Sequence, residues 1–131
     1  MNTIITLPGY LIDEIISGHK LYEMRKTKPR LMELGVDGFF VVQKGTDNVR
    51  CWCRVDKMIP FCITEKNALE YASDLCVSPE YILQYATVNT YVYLWAIGKV
   101  IVCEDLIRDS LCVDYNPQSF AYTPLSYGES Y

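Results

Sequence analysis

The pattern that most restricts the fold is a strand, turn and strand between Phe39 and Lys57. Phe39–Lys44 opens with four apolar residues in succession, as a buried strand does. Gly45-Thr46-Asp47-Asn48 is turn chemistry, and it leads into Val49–Lys57. There Val49, Cys51, Cys53 and Val55 alternate onto one face, and Arg50, Trp52 and Arg54 onto the other. This segment is a hairpin.

The remaining elements follow from period and punctuation. Residues 3–7 suit a short strand. Pro8 then starts a helix with Leu11, Ile12, Ile15 and Ile16 at helical spacing, stopped by Gly18. Lys20–Lys26 reads as a strand with Leu21, Glu23 and Arg25 on one face and Tyr22, Met24 and Lys26 on the other. A turn-rich stretch, Thr27–Gly38, follows. Thr64 is placed to cap a helix whose apolar face is Ala68, Leu69, Tyr71, Ala72 and Leu75. Ser78-Pro79 restarts a second helix with Ile82, Leu83 and Ala86. Thr90–Glu104 returns to strand, interrupted at Gly98, where a bulge or turn is expected, and a last strand is expected near Ser119–Thr123. The order predicts one α+β domain over residues 1–131, its strands curled into a small barrel.

Composition excludes several classes. Half of the 131 residues are hydrophobic and 21% are charged, too apolar a mixture for a disordered chain. The longest apolar run, Tyr91–Ile97, is far short of a membrane-spanning helix. Residues 1–7 carry no basic leader, so a cytoplasmic location is expected. The six cysteines (51, 53, 62, 76, 103, 112) include no C-x-x-C pair, and His19 is the only histidine. Free thiols in a reducing compartment are expected, with no metal and no cofactor. No phosphate-loop, dinucleotide, zinc-protease or nucleophile-elbow motif occurs. With one histidine, a cysteine–histidine nucleophile has no support.

The net charge of −4 is unevenly spread: residues 1–57 carry +2 and residues 58–131 carry −6. The densest basic stretch is Lys20–Arg30, where Lys20, Arg25, Lys26, Lys28 and Arg30 are opposed by Glu23 alone. An acidic chain with one basic strip is no general coater of polyanions; contact with nucleic acid would be local.

That strip contains Gly18-His19-Lys20-Leu21-Tyr22-Glu23-Met24-Arg25, a G-x-K-x-x-E-x-R string at a helix-to-strand junction. Gly18 permits a tight helix end, and Lys20 supplies a point charge at the strand's mouth. Glu23 and Arg25 project from one strand face and can hold each other by charge-assisted hydrogen bonds. Such a trio suits a cleft for a phosphate or the polar edge of a base. The plainer role is a salt bridge bracing the corner.

In this setting the string resembles the signature of the ASCH (activating signal cointegrator homology) family, which has a PUA-like fold. The likeness extends over the preceding helix, the basic turn Lys26–Arg30, the Val49–Lys57 strand and Tyr93–Ile97. It also includes Asn116-Pro117-Gln118-Ser119-Phe120-Ala121-Tyr122, which is similar to the ending of phage and prophage ASCH proteins. The helices within Thr64–Thr87 resemble an insertion of that subgroup. The resemblance implies an incomplete β-barrel with an N-terminal helix and a two-helix insertion. Beside the motif it implies a cleft for RNA, or for a single-stranded or modified nucleotide.

Some relatives of this fold hydrolyse the acetyl amide of acetylcytidine nucleosides, and others cleave RNA. Lys20 and Glu23 are therefore the candidate catalytic residues. The amidohydrolase branch, however, places a threonine nucleophile where Glu23 stands, and a carboxylate is a poor replacement in acyl transfer. Three readings stay open: a nucleotide-binding module, a hydrolase using the same cleft, and a phage accessory protein acting through a host or phage protein.

Candidate binding residues are Lys20, Glu23, Arg25, Lys26, Lys28, Arg30, Trp52 and Ser119. Trp52, between Arg50 and Arg54, has the pattern of a base-stacking ring, although strand tryptophans more often pack. Ser119 is placed either to line the cleft or to cap a turn. Tyr91, Tyr93 and Trp95 are read as barrel core or cleft floor, and the eleven tyrosines as packing residues in the main.

Overall fold

The computed structural model describes residues 2–26, 38–111 and 121–123. Their strands are β1 (Asn2–Leu7), β2 (Tyr22–Arg25), β3 (Gly38–Gln43), β4 (Val49–Cys62), β5 (Tyr91–Val102) and β6 (Ala121–Thr123). Helix α1 (Gly9–Ile16) follows β1, while α2 (Glu65–Leu75) and α3 (Pro79–Tyr85) lie between β4 and β5. A short 3-10 turn, Arg108–Leu111, follows β5. The strand order is β2-β5-β4-β3-β1-β6, antiparallel except for the parallel β1–β3 pair. The sheet curls into an incomplete barrel with β2 and β6 as its edges, an α+β fold of the PUA-like kind.

Strand β3 is central because both its faces are apolar. On the concave side Phe39 and Val41 join Ile5, Leu7, Cys51, Cys53 and Trp95 beneath Leu11, Ile12 and Ile15 of α1. The Phe39 and Trp95 rings meet edge to face at 5.5 Å. On the other side Phe40 and Val42 pack with Ile4, Val49, Trp52 and Leu111. A strand covered on both faces reads as a continuous apolar run, and this one does.

The hairpin forms as expected, but a bulge at Arg50 turns Val49 away from Cys51 and Cys53 to the Trp52 side, and β4 runs five residues past Lys57. Among the described residues its second half pairs with β5 alone, since β3 stops pairing at Arg54. Among those residues that half has no strand on its other side, where Pro60 can sit without breaking a ladder. The bulge expected at Gly98 is present: β5 stays continuous, but between Val100 and Ile97 it has one residue more than β4 has between Cys53 and Val55, and β4 makes up the difference at Asp56. A Cβ at Gly98 would strike the Asp56 carboxylate, so the glycine makes room for the partner's bulge.

Capping is as the residue types require. The Thr64 side chain accepts from Asn67 N–H, and Ser78 accepts from Tyr81 N–H. Ala68, Ala72 and Leu75 of α2 and Ile82 of α3 bury against Phe61, Ile63, Val92 and Leu94. Leu69, expected on that face, is 64% exposed; it falls beside the 68–72–75 stripe rather than in it.

Two glycines separate steric from conformational need. A Cβ on Gly38 would collide with the Cys53 carbonyl oxygen and the Trp52 ring, whereas Gly18, at φ 85°, has open space around it. Gly38→Ala should lower stability by about 3 kcal/mol in urea unfolding, because backbone must move. Gly18→Ala should cost only about 1 kcal/mol, the left-handed penalty alone.

Candidate functional site

Helix α1 ends where the sequence supplies no further apolar residue. Gly18 takes the left-handed conformation at φ 85°, and the amides of His19 and Lys20 both return to the Glu14 carbonyl. This turn aims Lys20 inward. Its Nζ donates to the Leu75 carbonyl at 2.9 Å and lies 3.5 Å from Glu23 Oε1. Leu75 is the last residue of α2, so its carbonyl is one of those a helix leaves without an internal partner. The ammonium thus closes α2 at its negative end. The neighbouring Asp74 carbonyl accepts from the Leu21 amide at 2.7 Å.

Glu23 is held from both sides. Its Oε2 accepts from Arg25 Nε at 2.7 Å while Oε1 faces the lysine. Lys20 and Glu23 are almost wholly buried, at 3% and 4% exposure, and Arg25 is half-buried. The result is a row of cation, carboxylate and cation. Its members line a cleft of about 540 Å³. One wall is Thr6 and the first turn of α1 with Tyr10; the other is α3 with Tyr81 and Tyr85, and Lys44 is at the rim. Three cations face one carboxylate there, a surplus of +2 in a protein of net charge −4.

The other candidates separate. Lys26 lies beside the cleft, its Nζ 5.3 Å from the centroid of the Tyr85 ring. Lys28, Arg30 and Ser119 lie outside the described residues. Trp52 is 4% exposed and its indole N–H donates to Asn2 Oδ1 at 3.0 Å, which removes it as a stacking ring. Its expected flanking cations are engaged elsewhere: Arg50 with Gln43 and Asp13, Arg54 with Asp56. The apolar sheet face drew the tryptophan in.

Tyr10, Tyr81, Tyr85 and Lys44 line the cleft and were not singled out from the sequence. The spacing of Tyr81 and Tyr85 was a usable signal: four residues apart on one helix, their rings lie 6.2 Å apart. His19 is exposed and pairs with Glu14 at 3.1 Å. Of the described cysteines, 51, 53 and 103 are buried and 62 and 76 partly so, all as free thiols, while Cys112 lies outside the described residues. Among the described residues no three His, Cys, Asp or Glu side chains come together as a metal site, and no helix is long and apolar enough to cross a membrane.

With the cleft in place, the class is an α+β PUA-like half-barrel with a charged corner pocket. The solved structures of ASCH from Zymomonas mobilis share this fold. The protein itself matches with a TM-score of 0.68 at 15% identity, over 91% of this chain and 85% of that one. Its serine-to-alanine mutant gives 0.71 at 14% identity, over 91% and 85% of the two chains. At such identity the likeness is one of fold. No protein-family model and no curated protein matches the chain.

Two predictions follow from burial. Lys20→Met should lower stability by about 3 kcal/mol, because it leaves Glu23 and the Leu75 carbonyl short of a buried partner. Arg54→Ala, which breaks an exposed pair, should cost under about 1 kcal/mol in the same urea titration. The Cys53 thiol is pushed well above its ordinary value of 9.0 by its contact with Cys51 and by burial, with the Glu23 charge adding to both. The folded state keeps this proton where the unfolded chain releases it. Stability is therefore full below about pH 9 and falls above it, by up to about 1.4 kcal/mol per pH unit. Burial raises Tyr85 in the same sense. Urea midpoints between about pH 8 and 11 should fall less steeply in Cys53→Ala than in the parent.

Proposed function

We propose that this protein is an ASCH-type domain that binds single-stranded RNA, taking one nucleotide, plain or modified, into the cleft beside Lys20, Glu23 and Arg25. The observation that carries this is the combination in one pocket of three cations, one carboxylate and three tyrosines. Cations attract the phosphate backbone without sequence preference, aromatic faces take unstacked bases, and fixed polar groups read their edges. A volume of about 540 Å³ lies within the range of small-ligand pockets and suits one nucleotide rather than a duplex. The similarity of residues 116–122 to phage and prophage ASCH proteins favours that subgroup, and a cytoplasmic site of action suits an RNA ligand.

The arrangement supports binding over hydrolysis. Both oxygens of Glu23 are already paired with cations, so the carboxylate is built in as an orienting group. Lys20 gives one of its three donors to Leu75 and a second faces Glu23, which leaves the third for a guest. Lys44 and Tyr81, both exposed at the cleft mouth, can be changed without disturbing that buried row.

Fluorescence anisotropy with a labelled hexauridylate tests the proposal. Tyr81→Ala should weaken binding by about 5- to 100-fold, the effect of losing one stacking ring. Lys44→Ala should weaken it less and make the dependence on salt shallower. Unchanged affinity in both variants, or no RNA binding by the parent protein at low salt, would overturn the assignment of this cleft.

A further inference from the structure

We propose, on the reading of the cleft as a nucleotide site, that its floor selects the imide edge of a uracil-type base over cytosine and the purines. The order of groups along the floor carries the inference. Lys20 Nζ can only donate, the Glu23 carboxylate can only accept, and the Arg25 guanidinium can only donate. The sequence of contacts fixes that order, with Glu23 between the two cations at 3.5 and 2.7 Å. Burial fixes it further: at 3% and 4% exposure, Lys20 and Glu23 have no room to exchange places or to be satisfied by bulk water.

A donor–acceptor–donor floor calls for a guest that presents acceptor, donor, acceptor. Uracil does so with O4, N3–H and O2. Cytosine presents an amino donor toward one cation and the N3 lone pair toward the carboxylate, so two of its three positions repel. Guanine offers O6 and N1–H correctly but turns its 2-amino group toward the second cation. Adenine offers an amino group and a lone pair in the order opposite to the one required. Discrimination of this kind rests on the mismatched guest leaving buried charges opposed or unpaired, which costs more than a missing contact in water. The Tyr81 and Tyr85 rings on the wall are indifferent to base identity, so selectivity falls to the floor.

Competition against labelled hexauridylate, with the parent protein, provides the test. Unlabelled U6 should compete at least about 10-fold better than C6 or A6. A hexamer of N3-methyluridine, which keeps both carbonyls and loses the donor, should fall to the level of C6. Deoxythymidylate dT6 carries the same imide edge; if it matches U6, the edge alone is read, and if it is weaker, the ribose is read as well. Both results support the proposal. Glu23→Gln should bring U6 and C6 toward parity, because a carboxamide can turn its NH2 toward cytosine N3.

Equal competition by U6 and C6, or no loss on N3-methylation, overturns the uracil preference even if Glu23→Gln proves too unstable to assay. If binding is still lost in Tyr81→Ala under those conditions, the nucleotide reading stands and only the preference fails. Absence of binding by every oligonucleotide removes both.

Discussion

A lysine ammonium withdrawn from water must be repaid by acceptors placed around it, and Lys20 meets that demand with one distant acceptor and one local one. The Leu75 carbonyl comes from the end of α2, fifty-five residues away, and Glu23 from the adjoining strand. The same contact closes α2, orients Glu23 and holds the inserted helices against the first helix–strand corner. Cleft shape and cleft charge are thus set by one side chain. The strand pairing of Glu23 with Trp95 and of Arg25 with Tyr93 then fixes the other two members of the row to the sheet.

The chain is acidic, yet its pocket is cationic, and the two facts are compatible because charge acts here at short range. Exposed charges beyond about 8–10 Å are screened at ordinary ionic strength, whereas those at the bottom of a cleft are not. An overall negative field limits indiscriminate attachment to polyanions, while a local surplus of two positive charges makes the cleft attractive to anions at short range.

Much of the architecture was legible because it depends on local chemistry: the apolar run 39–42, the caps at Thr64 and Ser78, and the stop at Gly18. The Gly18–Arg25 string located the corner, and the Glu23–Arg25 pair follows from strand alternation alone. What was hidden depends on contacts between distant segments. Alternation put Trp52 and Arg50 on one face, but only the course of β1 shows that Asn2 and Ile4 cover that face. The strand was ended at Lys57, five residues early, because nothing local reveals that β4 continues along β5 after its pairing with β3 stops at Arg54. Tyr10, Lys44 and the Tyr81–Tyr85 pair come from three separate segments, and no spacing links one segment to another.

The placement of β1 has a consequence for how the molecule is made. This strand is made before β3 and β6 but lies between them, so it must wait for a partner that begins at residue 38. The acceptor for Lys20 emerges later still, and β5, which secures the Glu23 strand, comes last of the three. A nascent chain halted before residue 91 would hold its charged row without the neighbour that keeps it in line. The pocket is therefore complete only once β5 has been made, and a chain that stops short of it lacks the strand that fixes the charged row.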